Sequence, residues 1–326
     1  LLLAGYGWTF VRWIEHRPLG SWDGTAIWTY RALQWFRAGD GFPATVGLLT
    51  ESKPGYPLLL PGLVRSELVL WGGETTTIPA AAGWFWVFGL GAATVLGVRR
   101  HAPLAAGLAA AGLVLSTPVV WRSAFAQGAD LALASLTLAS AVGLADLTRR
   151  GSRAPAPGWL VGFFLGLMVW TKNEGMILAS ILLLVFLAAA WFAGRRPTAG
   201  IVAALGFGAL PGVLATAYYK NAWVSVAEVA RFLGEGVFER LTDLGRWRTV
   251  GAALAERLAP GSGEALWGGT VVVLALLTLA AAAGSGRLGA VRPALLYALA
   301  AGAMFGFIVV TYLVTPDPLE WHLRTS

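Results

Sequence analysis

The chain has no cysteine, which excludes disulfides, thiol nucleophiles and thiolate metal sites. Charge is scarce too: only 13% of the residues are Asp, Glu, Lys or Arg, and just three of those are lysines. The three histidines, His16, His101 and His322, lie far apart and match no H-E-x-x-H or other metal-ligand spacing. Internal repeats and low-complexity tails are absent. The opening run, Leu1 to Ile14, lacks the charged n-region and small-residue cleavage site of a signal peptide. It reads as the remnant of a first transmembrane helix, and both ends of the chain read as cut.

What is present is apolar surface. With 57% hydrophobic residues in 326, the chain is an integral membrane protein, all-α and polytopic. The net charge of +7 does not indicate nucleic acid, because the arginines are spread over membrane-flanking loops. They read as topology signals and contacts with lipid headgroups. Arginine far outnumbers lysine, and Ala and Gly are abundant, as in GC-rich bacterial genomes.

A bilayer core of ~30 Å needs about 20 residues per helix. Such runs lie near 78–98, 103–120, 128–147, 158–171, 175–193, 199–219, 265–283 and 291–314. With the remnant first helix, about nine spans are expected in a single domain over 1–326. Gly162/Gly166, Gly208/Gly212 and Gly302/Gly306, spaced four apart, fit close helix packing.

Loop charge sets the expected topology. The short loops with Arg99-Arg100, Arg149-Arg150-Arg153, Arg195-Arg196 and Arg287-Arg292 carry arginine and no acid, which places them in the cytoplasm. The loops between them then face outward. These hold Asp23, Lys53, Tyr56, Gln127, Asp130, Lys172, Glu174, Lys220 and His322. Two outer segments are long, 15–77 and 220–264. In the first, Trp28, Ala32, Trp35 and Phe36 share one helical face, and Arg31, Gln34 and Arg37 share the other. That pattern predicts an interfacial helix over 24–38 with its polar face in water. Residues 53–61, bounded by prolines, predict a re-entrant or interfacial segment. In the second, Val226 to Phe238 and Thr249 to Leu258 predict surface helices.

Charged residues at the edge of hydrocarbon are costly and mark pathways or sites. Asp23 precedes the interfacial helix, so it is either an N-cap or a general base at the membrane boundary. Lys172-Asn173-Glu174 is either a helix stop with a local ion pair or a phosphate-and-hydroxyl site. In the second case Lys gives charge, Asn a donor and acceptor, and Glu an acceptor. Asp130 is either a helix-start acid or a ligand-binding residue. His322, after Trp321, reads as an interfacial anchor or a ligand.

These residues carry a resemblance. Trp22-Asp23-Gly24, Tyr56-Pro57-Leu58-Leu59-Leu60-Pro61, Ala129-Asp130-Leu131, Thr171-Lys172-Asn173-Glu174-Gly175 and Trp321-His322-Leu323-Arg324-Thr325-Ser326 follow one another in order. Across nearly its whole length the chain resembles bacterial family 39-like glycosyltransferases of the GT-C superfamily. That group includes protein mannosyltransferases and the aminoarabinose transferase of lipid A. The resemblance implies a polyprenyl-phosphate-linked sugar donor and a catalytic carboxylate in the first outer loop, here Asp23. Protein mannosyltransferases carry an acidic pair at that point, whereas Asp23 is followed by Gly24, which argues against a protein hydroxyl as acceptor.

The expectation is an inner-membrane enzyme acting on the periplasmic side. Asp23 would activate the acceptor hydroxyl. Lys172 would meet the donor phosphate, with Lys53 or Lys220 assisting, and Tyr56, Asp130, Asn173, Glu174 and His322 would complete the binding site. A divalent cation on Asp23, Asp130 and Glu174 is a further option. The rivals are a catalytically silent subunit of a membrane complex and a lipid or solute transporter.

Overall fold

The computed structural model describes residues 2–18, 20–46, 54–150, 155–192, 197–224 and 237–258, with isolated positions 309 and 313. Among the described residues every regular element is helical. The chain divides into two units, 1–183 with 194–224, and 184–193 with 225–326.

In the first unit, α1 covers Leu2–His16. A π-helical turn over Gly24–Thr29 runs straight into α2, Tyr30–Ala38. The short α3 is Phe42–Val46, and α4 is Leu59–Trp71. The longer helices follow: α5 (Thr77–Arg99), α6 (Leu104–Leu115), α7 (Pro118–Phe125), α8 (Ala129–Arg150), α9 (Pro155–Thr171), α10 (Asn173–Phe192) and α11 (Ala199–Trp223). Helix α10 continues past residue 183 into the second unit.

Among the described residues, four helices are long and apolar enough to cross a membrane: α5, α8 over Ala129–Thr148, α10 over Asn173–Trp191, and α11. Taken together, α6 and α7 make a fifth, bent by 62°. These helices are compatible with a multi-pass membrane protein. The expected single span over 103–120 is therefore corrected. Pro118 has no N–H to continue the helix, and it holds Thr117 in extended backbone at φ −73, ψ 121. Helices α1 and α9 are shorter, with 15 and 17 residues. The runs near 265–283 and 291–314, and Gly302/Gly306, lie outside the described residues.

Helices α9 and α11 approach at the predicted glycines. A Cβ on Gly162 would strike the Leu205 carbonyl, and one on Gly208 would strike the Trp159 carbonyl. The backbones are in contact there, so glycine is obligatory.

The first loop differs from the expectation at Ser21 and at Arg31. The helix beginning near residue 22 is capped by Ser21, whose Oγ accepts from Gly24 N at 3.2 Å. Asp23 sits inside the first turn with helical φ −62, ψ −42 and makes no capping bond. On the face read as polar, Arg37 is exposed and Gln34 half-buried, but Arg31 is fully buried at 0% exposure. All three lie in the regular helix α2, and Arg31 is drawn inward by two acceptors distant in sequence, the Tyr56 carbonyl and the Tyr219 phenol. Residues 54–58 form a turn leading into α4, whose Leu59, Leu60, Val64 and Leu68 are buried.

In the second unit, α12 is Val237–Thr242 and α13 is Leu244–Leu258. The helix expected from Thr249 begins five residues earlier because Asp243 caps it, its Oδ1 accepting from Gly245 N at 2.7 Å. Residues 226–236 of the other expected helix lie outside the described residues.

Candidate functional site

Lys172 occupies the single-residue break between α9 and α10. The break is sharp because Gly175 packs on the Met168 carbonyl, where a Cβ would overlap it, and Gly175 N donates to Lys172 O at 2.9 Å. Glu174 thereby falls in the first turn of α10, and Asp130 lies in the first turn of α8. Helix N-termini favour both acids through the helix dipole.

The two acids share one ammonium. Lys172 Nζ donates to Asp130 Oδ1 at 2.8 Å and lies 3.5 Å from Glu174 Oε1. It also sits 5.8 Å from the centroid of the Tyr56 ring. The Tyr56 hydroxyl donates to Glu174 Oε1 at 3.3 Å, and its ring packs on Trp28 at 5.5 Å. Exposure falls off inward: the Asp130 side chain is 70% exposed, those of Glu174 and Lys172 24% and 19%. Glu174 Oε2 is buried and accepts no hydrogen bond among the described residues.

Burial opposes the Lys172 charge, but Glu174 and Asp130 outweigh it and raise its pKa, so the ammonium stays charged. Burial also raises the Tyr56 phenol, and the Glu174 charge raises it further. Tyr56 is therefore a neutral donor at any ordinary pH.

A second layer holds this one in place. Lys220 Nζ donates to Asn173 Oδ1 at 2.7 Å. Its neighbour Tyr219 accepts from Arg31 Nη2 at 2.5 Å and donates to the Pro54 carbonyl. Arg31 Nη1 donates to the Tyr56 carbonyl at 2.8 Å. Phe42, Val46, Leu58 and Tyr219 form a buried apolar cluster beneath, with Trp35 and Trp223 against it.

Of the residues expected from sequence, Tyr56, Asp130, Lys172, Asn173, Glu174 and Lys220 thus form one network at one end of the helices. Arg149 and Arg150 end α8 at the opposite end from Asp130. Arg100, at the far end of α5, meets Asp146 of α8 at 3.6 Å. Lys53 and His322 lie outside the described residues. Asp23 is exposed, and no described hydrogen bond or ion pair joins it to Lys172. Its turn is stitched to the α7–α8 junction, since Ser21 N and Oγ both donate to the Ala126 carbonyl, at 3.1 and 3.2 Å.

Arg31 and Tyr219 were not anticipated. Tyr219 had a sequence signal, standing beside Lys220 where an apolar run meets charge; Arg31 had none, since its acceptors lie far away in sequence. Among the described residues no three His, Asp or Glu side chains gather around one point. The chain matches no family model, no curated protein and no solved structure.

Proposed function

We propose that the chain is a membrane glycosyltransferase of the GT-C type, with about nine spans, that moves a sugar from a polyprenyl-phosphate donor to an acceptor hydroxyl. The Lys172 network is the observation that carries this reading. It is a permanently charged ammonium in a helix break, gathered with a phenol, an amide and a second lysine at one end of apolar helices. Charged groups in such a place mark a substrate path, and an ammonium suits a phosphate as a point charge.

The geometry changes how Lys172 would act. It already holds two carboxylates, so a phosphate must displace one. Asp130, exposed and reached by no other described partner, is the one to yield; Glu174 is tied to Tyr56. The leaving phosphate then needs only electrostatic stabilisation, and no general acid. Asp23, exposed at the helix start stitched to the α8 junction, accepts the proton of the attacking hydroxyl. The arginine-rich ends would lie in the cytoplasm and the network on the periplasmic side of a bacterial inner membrane.

A resident divalent cation does not fit this donor set. Asp130 and Glu174 are neutralised by Lys172, and Asp23 is joined to neither by a described contact.

Purified full-length protein incubated with bacterial lipid extract should release polyprenyl phosphate and form a glycosylated product. A folded protein that turns over no lipid-linked sugar would return the chain to the reading as a silent subunit.

A further inference from the structure

Gln127 is the one described non-glycine residue with positive φ, at 57°. An L residue is strained in that region, and such outliers persist where the surroundings over-determine them. Glycine would relieve the strain, yet glutamine stands here. Its side chain explains why. Gln127 is 6% exposed and uses both ends of its amide: Oε1 accepts from Thr29 Oγ1 at 3.1 Å, and Nε2 donates to the Pro18 carbonyl at 3.1 Å.

Those two partners bracket the Asp23 turn. Pro18 precedes it, and Thr29, itself 2% exposed, ends the π-turn that follows it. On the other side, Gln127 lies three residues before Asp130. The neighbouring Gly20 fits the same seam. Its φ is +78°, and a Cβ there would lie 2.5 Å from the Ala126 carbonyl.

We infer that Gln127 is a positioning residue: its left-handed backbone and its two amide bonds fix the helix start that carries Asp23 against the helix start that carries Asp130. The catalytic meaning of this seam rests on the glycosyltransferase reading; its mechanical meaning does not. A π-turn and a left-handed glutamine are joined by one hydrogen bond, so neither is a local accident. The amide bonds offset the strain that each feature carries.

Gln127→Gly tests this directly, because glycine adopts the same φ without strain and leaves the turn intact. Thr29→Val removes the bond from the other side at constant shape. If Gln127 serves only the turn, Gln127→Gly is silent or stabilising. If it is the latch, both variants lower kcat on the order of 10- to 100-fold while donor KM stays unchanged. The double variant is then no worse than either single one.

A second readout needs no activity. Because the chain has no cysteine, spin labels at Trp22→Cys and Ala134→Cys, both exposed positions, report the distance between the two helix starts. The distribution is narrow in the parent and broadens in Gln127→Gly and in Thr29→Val. An unchanged width in Gln127→Gly overturns the proposal. Absence of transfer by the unlabelled wild-type protein overturns the enzymatic reading alone and leaves the latch to the spin-label result.

Discussion

Arg31 meets Tyr219 twice: Nη2 donates to the phenol oxygen at 2.5 Å, and the guanidinium carbon lies 5.6 Å from the ring centroid. Both distances describe one cation at the hydroxyl edge of the ring, from which its planar fork reaches a second acceptor, a geometry that a lysine lacks. The same guanidinium fixes the Tyr56 carbonyl, so the turn before α4 and the end of α11 are held through a single buried side chain. Arg31→Lys should therefore fail to substitute. With the Tyr56 carbonyl and Tyr219 hydroxyl short of a donor, the expected loss is about 1–3 kcal/mol per stranded group. Thermal unfolding in detergent measures it; an unchanged midpoint would dismiss Arg31 as a structural fork.

Lys172→Met should raise donor KM by about ten- to a hundredfold, from a charge-assisted contact of roughly 1.5–3 kcal/mol. It should also lower stability, because Glu174 loses its counter-charge while it stays beside Tyr56. The double variant with Glu174→Gln should recover much of that stability and none of the donor affinity. Recovery of both would reduce Lys172 to a structural ion pair.

Asp23→Asn should leave folding untouched, since Asp23 is exposed and makes no capping bond. Transfer should fall on the order of 10²–10⁴-fold, the usual loss for a general base. Retained transfer at a normal rate would remove Asp23 from the chemistry.

Gly208→Ala puts a methyl group onto the Trp159 carbonyl, in backbone that cannot retreat without parting α9 from α11. Overpacking of this kind costs about 1–3 kcal/mol. Gly206→Ala, on the same helix with nothing near its Cβ position, is the control and should be neutral or mildly stabilising. Equal effects from the two would contradict the close packing.

Burial in α4 raises the Glu67 pKa. The folded state then holds this proton to higher pH than the unfolded state, so stability falls as pH rises from the ordinary carboxylate range through the raised value. Glu67→Gln should flatten that slope and raise the melting temperature at neutral pH. A pH profile of unfolding for both proteins decides it; parallel profiles would refute the assignment.

Much of this was legible in the chain itself. Loop charge put Asp130, Lys172 and Lys220 on one face of the expected topology, without showing that they meet. The glycines at 162 and 208 read correctly as close contacts. The first loop was less legible. Arg31 stood on a face read as polar, and its burial depends on acceptors at Tyr56 and Tyr219, too far along the chain for a helical pattern to show. The cap fell to Ser21 instead of Asp23 for the same kind of reason: both residue types cap well, and the tertiary bonds of Ser21 to Ala126 decided between them. Pro118 was visible, yet the apolar run around it masked the break.

That break at Pro118 has a consequence for the surrounding lipid. At 1.5 Å per residue, the 12 residues of α6 rise about 18 Å. The 8 residues of α7, tilted by 62°, add about 6 Å along the same axis. Ser116 and Thr117 between them add at most about 7 Å, so the bent pair, taken as one span, only just matches a hydrocarbon core of ~30 Å. The pair has no apolar length in reserve, so a thicker bilayer would have to thin beside it.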